Sequence, residues 1–185
     1  VLVNNYLDMD GLVCISADHY GGAVQATEYL CKLGHCKIGL LSGRFSPQVS
    51  EARIEGFVKT LAKYDIPVDD RFIADIEPAL EDGEEIMTRM LREVDRPTAF
   101  FCTNDTIAAG AMKAVTRAGL RVPEDIAIIG FDDSYISRVV EPELTTVRID
   151  AAKMGCLAMQ TLFDLIAGMP VEKAHIQIPT ELIVR

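Results

Sequence analysis

No Lys/Arg-rich run occurs in these 185 residues, and the formal net charge is −10 with a pI near 4.7. Nucleic-acid phosphates are held by a basic footprint, so the chain is not expected to bind DNA by itself. The five cysteines, Cys14, Cys31, Cys36, Cys102 and Cys156, are odd in number and contain no CxxC pair. That excludes a simple disulfide framework. Cys14 and Cys102 fall in apolar strand patterns and Cys156 in an apolar helix, where a free thiol behaves as a small hydrophobe. Buried thiols suit a reducing, cytoplasmic setting. No apolar run reaches the ~18 residues of a membrane span, and no signal peptide is expected within a sequence that starts in mid-fold. GxSxG, a Walker loop and a GxGxxG behind a strand are all missing. His19, His35 and His175 lack metal-ligand spacing. No catalytic residue, metal or cofactor is therefore expected.

What is present is a regular alternation of strands and helices. Hydrophobic residues make up 49% of the chain, enough for a good core in one domain or in one domain and part of another. The clearest stretch is Thr98–Asp133. Thr98–Cys102 is a short apolar run broken by Thr103-Asn104-Asp105. Ile107, Ala108, Ala111, Met112 and Val115 then recur at helical spacing up to Gly119. Ile126–Gly130 is a second apolar run, broken by Phe131-Asp132-Asp133. Two strands joined by a helix, each ending in a polar turn, make a βαβ unit.

The same grammar runs along the rest of the chain. Leu12–Ser16, Lys37–Ser42, Phe72–Ile76, Leu144–Ile149 and Ile176–Val184 read as further strands. Helices are expected from the Asp18 N-cap to Gly34, around Ile54–Ala62, over Gly83–Val94 and over Ala151–Ala167. This order predicts an α/β fold with a doubly wound parallel sheet. In such sheets ligands bind at the carboxyl ends of the strands. Those ends are Ser16 to Asp18, Ser42 to Arg44, Asp75 to Pro78, Thr103 to Asp105, and Phe131 to Asp133. Carboxylates, amides and an arginine fork suit a hydroxyl-rich ligand.

Several phrases resemble the effector-binding domain of LacI-family transcriptional regulators. They are Asp18-His19-Tyr20-Gly21-Gly22, Leu33-Gly34-His35, Arg53-Ile54-Glu55-Gly56-Phe57, Thr103-Asn104-Asp105, Gly119 to Ile126, Gly130-Phe131-Asp132-Asp133, Pro142 to Val147 and Met154-Gly155. Each alone is weak, but their order and spacing over the whole chain are specific. The resemblance implies a type I periplasmic-binding-protein-like fold. By that likeness, residues 1–15 end an N-terminal subdomain and 16–147 form the C-terminal subdomain. Residues 148–175 carry a helix back to the N-terminal subdomain, and 176–185 form a final strand. A DNA-binding headpiece and most of the first subdomain would lie outside this chain.

The resemblance also implies roles. Asp132 would accept hydrogen bonds from ligand hydroxyls, although Asp also suits a cap or turn. Arg53 would fork onto the ligand from within the cleft, and Asn104 would bond it while Asp105 caps the following helix. Asp18 is equally a ligand contact or an N-cap. A homodimer face would use the helix Asp105–Ala118 and the segment Ser134–Val140. The sequence departs from the family pattern at Ile76-Glu77-Pro78-Ala79, which has no stacking aromatic, and at Ile149 and Asn4, where some sugar-sensing members carry polar or acidic residues. The expected function is effector sensing and dimerisation in a cytoplasmic regulator that takes a sugar-like or nucleoside-like molecule. DNA would be bound only through the headpiece, and no membrane is involved. The alternatives are a periplasmic solute-binding protein of a sugar transporter and a nucleotide-dependent α/β enzyme, the latter without a phosphate loop.

Overall fold

The computed structural model describes residues 1–170 and 174–185. Two sheets organise them. The larger is built from β3 (Ile38–Gly43), β4 (Ile73–Ile76), β5 (Ala99–Cys102), β6 (Ala127–Asp132), β7 (Thr146–Arg148) and β9 (Glu181–Ile183), in the spatial order β4-β3-β5-β6-β7-β9. All neighbours run parallel except β9, which is antiparallel to β7. β1 (Leu2–Val3), β2 (Cys14–Ala17) and β8 (His175–Ile178) form a small parallel sheet of their own.

Helices α1 (His19–Lys32) and α2 (Pro47–Lys63) cover one face of the large sheet, α3 (Leu80–Met90) and α4 (Asp105–Arg117) cover the other, and the short α5 (Ile136–Val139) follows β6. The strands explain this directly. Phe101 and Ile129 enter the core with Ala23, Leu30, Phe57 and Leu61, while Phe100, Cys102 and Ile128 enter the opposite core with Met87, Ile107 and Ala111. Residues buried on both sides of a strand give the continuous apolar runs seen in the sequence. The doubly wound α/β expectation holds. Asp18 caps α1, its Oδ1 accepting the Gly21 N–H at 2.8 Å.

Three expectations need correction. The Ser16–Asp18 strand end belongs to the small sheet, so the five strand ends do not share one sheet edge. The single strand 176–185 is two strands in two sheets, separated by Pro179-Thr180. Gln25 explains the break: its side chain donates to the Thr180 carbonyl at 3.1 Å and accepts the Leu182 N–H at 3.1 Å, steering the chain from β8 to β9. Cys156 is exposed on α6 (Ala151–Ile166) rather than buried, as is Cys36. α6 packs Met154 and Ala158 on Ile15, Ala17 and Ile178 of the small sheet. Of the 148–175 segment, residues 171–173 lie outside the described residues. α4, expected at a dimer face, is mostly buried between α3 and the sheet, whereas Tyr135 and Val139 of the neighbouring segment are open to solvent.

Candidate functional site

Strand order reverses between β3 and β5, so their carboxyl ends open a crevice. Here the Gly43 N–H donates to Thr103 Oγ1 at 2.7 Å, tying the two ends together. Arg53, 3% exposed, reaches this crevice from α2. Its guanidinium donates to the Thr103 carbonyl, to His19 Nδ1 (Nη2 at 3.2 Å) and to Asp132 Oδ1 at 3.3 Å. Its face lies on Phe131, with Cζ 3.9 Å from the ring centroid, and Phe45 stands 5.1 Å away. A planar cation with five donors is the residue type that can hold a carbonyl, an imidazole and a carboxylate at once.

Asp132 ends β6 with φ 108, and Asp133 follows with φ 50. Residues other than glycine seldom hold this left-handed backbone, and such strain gathers at ligand sites. Burial pushes the Asp132 carboxyl up to about 6, against the pull of Arg53. Burial likewise brings Arg53 down to about 10 despite Asp132. Asp132 still keeps 38% of its side-chain surface exposed, so it presents a carboxylate edge to an incoming molecule. Asp133 does not: burial would raise it, but Arg148, Arg185 and Ser137 hold it at about 2. It locks β7 and the last residues of the chain to the end of β6.

Asn104 takes the capping task expected of Asp105, and Asp105 takes a structural one. Asn104 is the N-cap of α4, its Oδ1 accepting the Ile107 N–H at 2.8 Å. Asp105 is buried beneath it and accepts from Thr146 Oγ1 at 2.5 Å and the Ser134 N–H at 2.6 Å. Gly130 leaves the space that this carboxylate fills. The end of β4 stands apart, since Arg44 closes over Asp75 and Glu77 in the open. Arg53 thus joins Asp132 to the Thr103 carbonyl, Asn104 is the next residue along with its amide oxygen capping α4, and Asp18 lies one residue before His19 with its carboxylate engaged in capping.

His19, to which the sequence assigned no role, also stands at the crevice beside Arg53. It is 5% exposed, and burial together with the charge of Arg53 drives its pKa down to about 3. It also lines a cavity of about 360 Å³ between the small sheet and α2, with Tyr6, Ser16, Tyr20, Gln48 and His175. Tyr6 stacks on His175 at 4.4 Å, and Ser16 Oγ is 2.8 Å from His175 Nε2. The cavity is within the size range of small-molecule sites. No group of three or more His, Cys, Asp or Glu side chains that could hold a metal occurs among the described residues. No helix there is long and apolar enough to cross a membrane.

A model of the periplasmic binding protein-like domain matches residues 27–185. The chain belongs to that family. It is 38% identical over 174 residues to the HTH-type transcriptional repressor PurR of Pasteurella multocida, covering 92% of this chain and 52% of the relative. Among solved structures, a regulatory protein of the LacI family from Chloroflexus aggregans superposes with a TM-score of 0.91 at 32% identity, covering 97% of this chain and 64% of that one. The transcriptional regulator CelR in complex with cellobiose gives a TM-score of 0.91 at 26% identity, covering 99% and 57%. The likeness to LacI-family regulators expected from the sequence is therefore found in sequence and in fold. The chain spans about half the length of the curated relatives it matches.

Proposed function

We propose that this chain is the effector-sensing and dimerisation part of a cytoplasmic transcriptional regulator. The observation that carries the reading is the pairing of buried Arg53 with half-exposed Asp132 at the crevice where strand order reverses. A small sugar-like or nucleoside-like molecule donates hydrogen bonds to the exposed edge of Asp132 and accepts them from Arg53 and from the amide N–H of Asn104, with Asp18 at the rim. The ligand closes the crevice, and its differential affinity for closed and open states biases the dimer presented to DNA. A relative named as a repressor and a solved regulator bound to cellobiose favour this over solute delivery to a transporter. DNA contact falls to a helix-turn-helix outside these residues.

Charge supports that division of labour. With a net charge of −10 and no groove-reading helix motif, this chain supplies no footprint for phosphates. A gel-shift assay at moderate salt should show the intact polypeptide retarding a specific genomic fragment and the 185-residue chain retarding none. A specific shift by the 185-residue chain alone would contradict the reading.

A further inference from the structure

Arginine only donates hydrogen bonds. Two guanidinium nitrogens of Arg53 face Nδ1 of His19, at 3.4 and 3.2 Å. Nδ1 is therefore the lone-pair nitrogen, and the ring proton sits on Nε2. Protonation of both nitrogens is disfavoured by burial and by the adjacent guanidinium, so the ring stays neutral at physiological pH. Nε2 is buried and has no hydrogen-bond partner among the described residues. A buried donor left unmet carries a desolvation cost that an incoming acceptor would relieve. His19 also lines the cavity beside Ser16, Tyr20 and Gln48.

The charges around this ring narrow the ligand further. Among the described residues, none that lines the cavity is an Asp, Glu, Lys or Arg. The neighbouring cation, Arg53, already faces Asp132 at 3.3 Å. An anionic ligand would find no free cation here among the described residues and would meet the Asp132 carboxylate. A molecule that is polar but uncharged meets neither penalty.

We propose that His19 is a specificity-determining donor of the effector site, whose Nε2–H reads an acceptor oxygen or nitrogen on an uncharged ligand. The proposal rests on the effector reading above and adds a residue and a ligand class to it. Because Nε2 is enclosed in this structure, the contact forms as the ligand settles against the ring. His19→Phe removes the donor, whereas His19→Gln retains both an acceptor toward Arg53 and an N–H donor.

Two measurements test it on the intact polypeptide. Imidazole nitrogen NMR near pH 6.5 should find His19 neutral with its proton on Nε2; a proton on Nδ1 or a charged ring overturns the proposal without any ligand. Calorimetry then compares glucose, galactose, cellobiose and inosine with glucuronate, galacturonate, glucose 6-phosphate and inosine 5′-monophosphate. At least one uncharged probe should bind more tightly than its charged counterpart. His19→Phe should weaken that probe roughly tenfold or more, and His19→Gln should restore most of the loss. Deoxy analogues separate ligand reading from mere support of Arg53: wild type should discriminate against one of them and His19→Phe should not. Preference for the charged partner, binding by no uncharged probe, or unchanged affinity in His19→Phe overturns the proposal. If His19→Phe is neutral while Asp132→Ala weakens binding, the effector site stands and only this inference fails. If Asp132→Ala and Arg53→Ala are neutral as well, the site itself is lost.

Discussion

Asp132 sets a pH dependence whose sign can be worked out. Its carboxyl titrates at about 6 rather than at the ordinary 3.8, because burial outweighs Arg53. In the proposed effector site it is ionised above that pH and would accept hydrogen bonds from ligand hydroxyls; below it the proton would compete. At pH 5 roughly a tenth of the carboxylate remains, so affinity should fall about tenfold between pH 7.5 and pH 5. Calorimetric titrations across that range should show one step near pH 6, and Asp132→Asn should flatten it. The free protein responds oppositely: a raised carboxyl pKa stabilises the fold at low pH and loses that contribution as pH rises from about 4 to 6. His19, at about 3 against an ordinary 6.5, adds no step to ligand binding in this window, but it opposes Asp132 in the fold: its contribution is full above about pH 6.5 and is lost as pH falls.

At this same scale the sequence shows Arg53 and Asp132 but not their company. Gly130-Phe131-Asp132-Asp133 and Arg53 at the head of an apolar helical face are local patterns. The task of Asp105 is not local, because it depends on the space at Gly130 and on Thr146 Oγ1, 41 residues on. His19 has no signature at all, since its orphaned donor exists only through contact with Arg53 across 34 residues.

Among the elements, the α3–α4 contact rests on two glycines. A Cβ at Gly110 would overlap the Leu80 carbonyl and the Glu84 N–H of α3, and one at Gly83 would overlap the Ile107 carbonyl of α4. Backbone cannot yield cheaply, so the helices approach only where both side chains are missing. Gly110→Ala gains about 1 kcal/mol of helix propensity, yet overpacking of this kind costs about 1–3 kcal/mol. Denaturant unfolding should show net destabilisation; an equally or more stable variant would contradict the close packing. Helix and strand order was legible because apolar spacing reports burial faces directly. The division of the last strand was not, because periodicity runs through Pro179-Thr180 while the hydrogen bonds of Gln25 redirect the chain.

At the scale of the whole molecule, α6 carries an apolar surface with nothing packed on it among the described residues. Met159, Leu162, Phe163, Leu165 and Ile166 are all exposed, Phe163 at 59% and Ile166 at 75%. Soluble monomers rarely present contiguous patches of this kind. Burying four or five such side chains is worth roughly 1.5–3 kcal/mol each, enough to drive association. The 185-residue chain should therefore scatter light as a dimer or larger at concentrations on the order of tens of micromolar, and Phe163→Glu with Ile166→Glu should shift it toward monomer. A monodisperse wild-type monomer would contradict this. The width of that apolar face was readable from the sequence, but which part of it the small sheet covers was not.

The pairing of Arg53 with Asp132 is the centre of the account, and calorimetry on the intact polypeptide tests it most directly. With a bound sugar or nucleoside as titrant, Asp132→Ala and Arg53→Ala should each lower affinity by about 2–3 kcal/mol, the loss expected for a charge-assisted hydrogen bond in a closed crevice. Unchanged affinity in both variants, with the fold intact, would contradict the assignment of this crevice as the effector site.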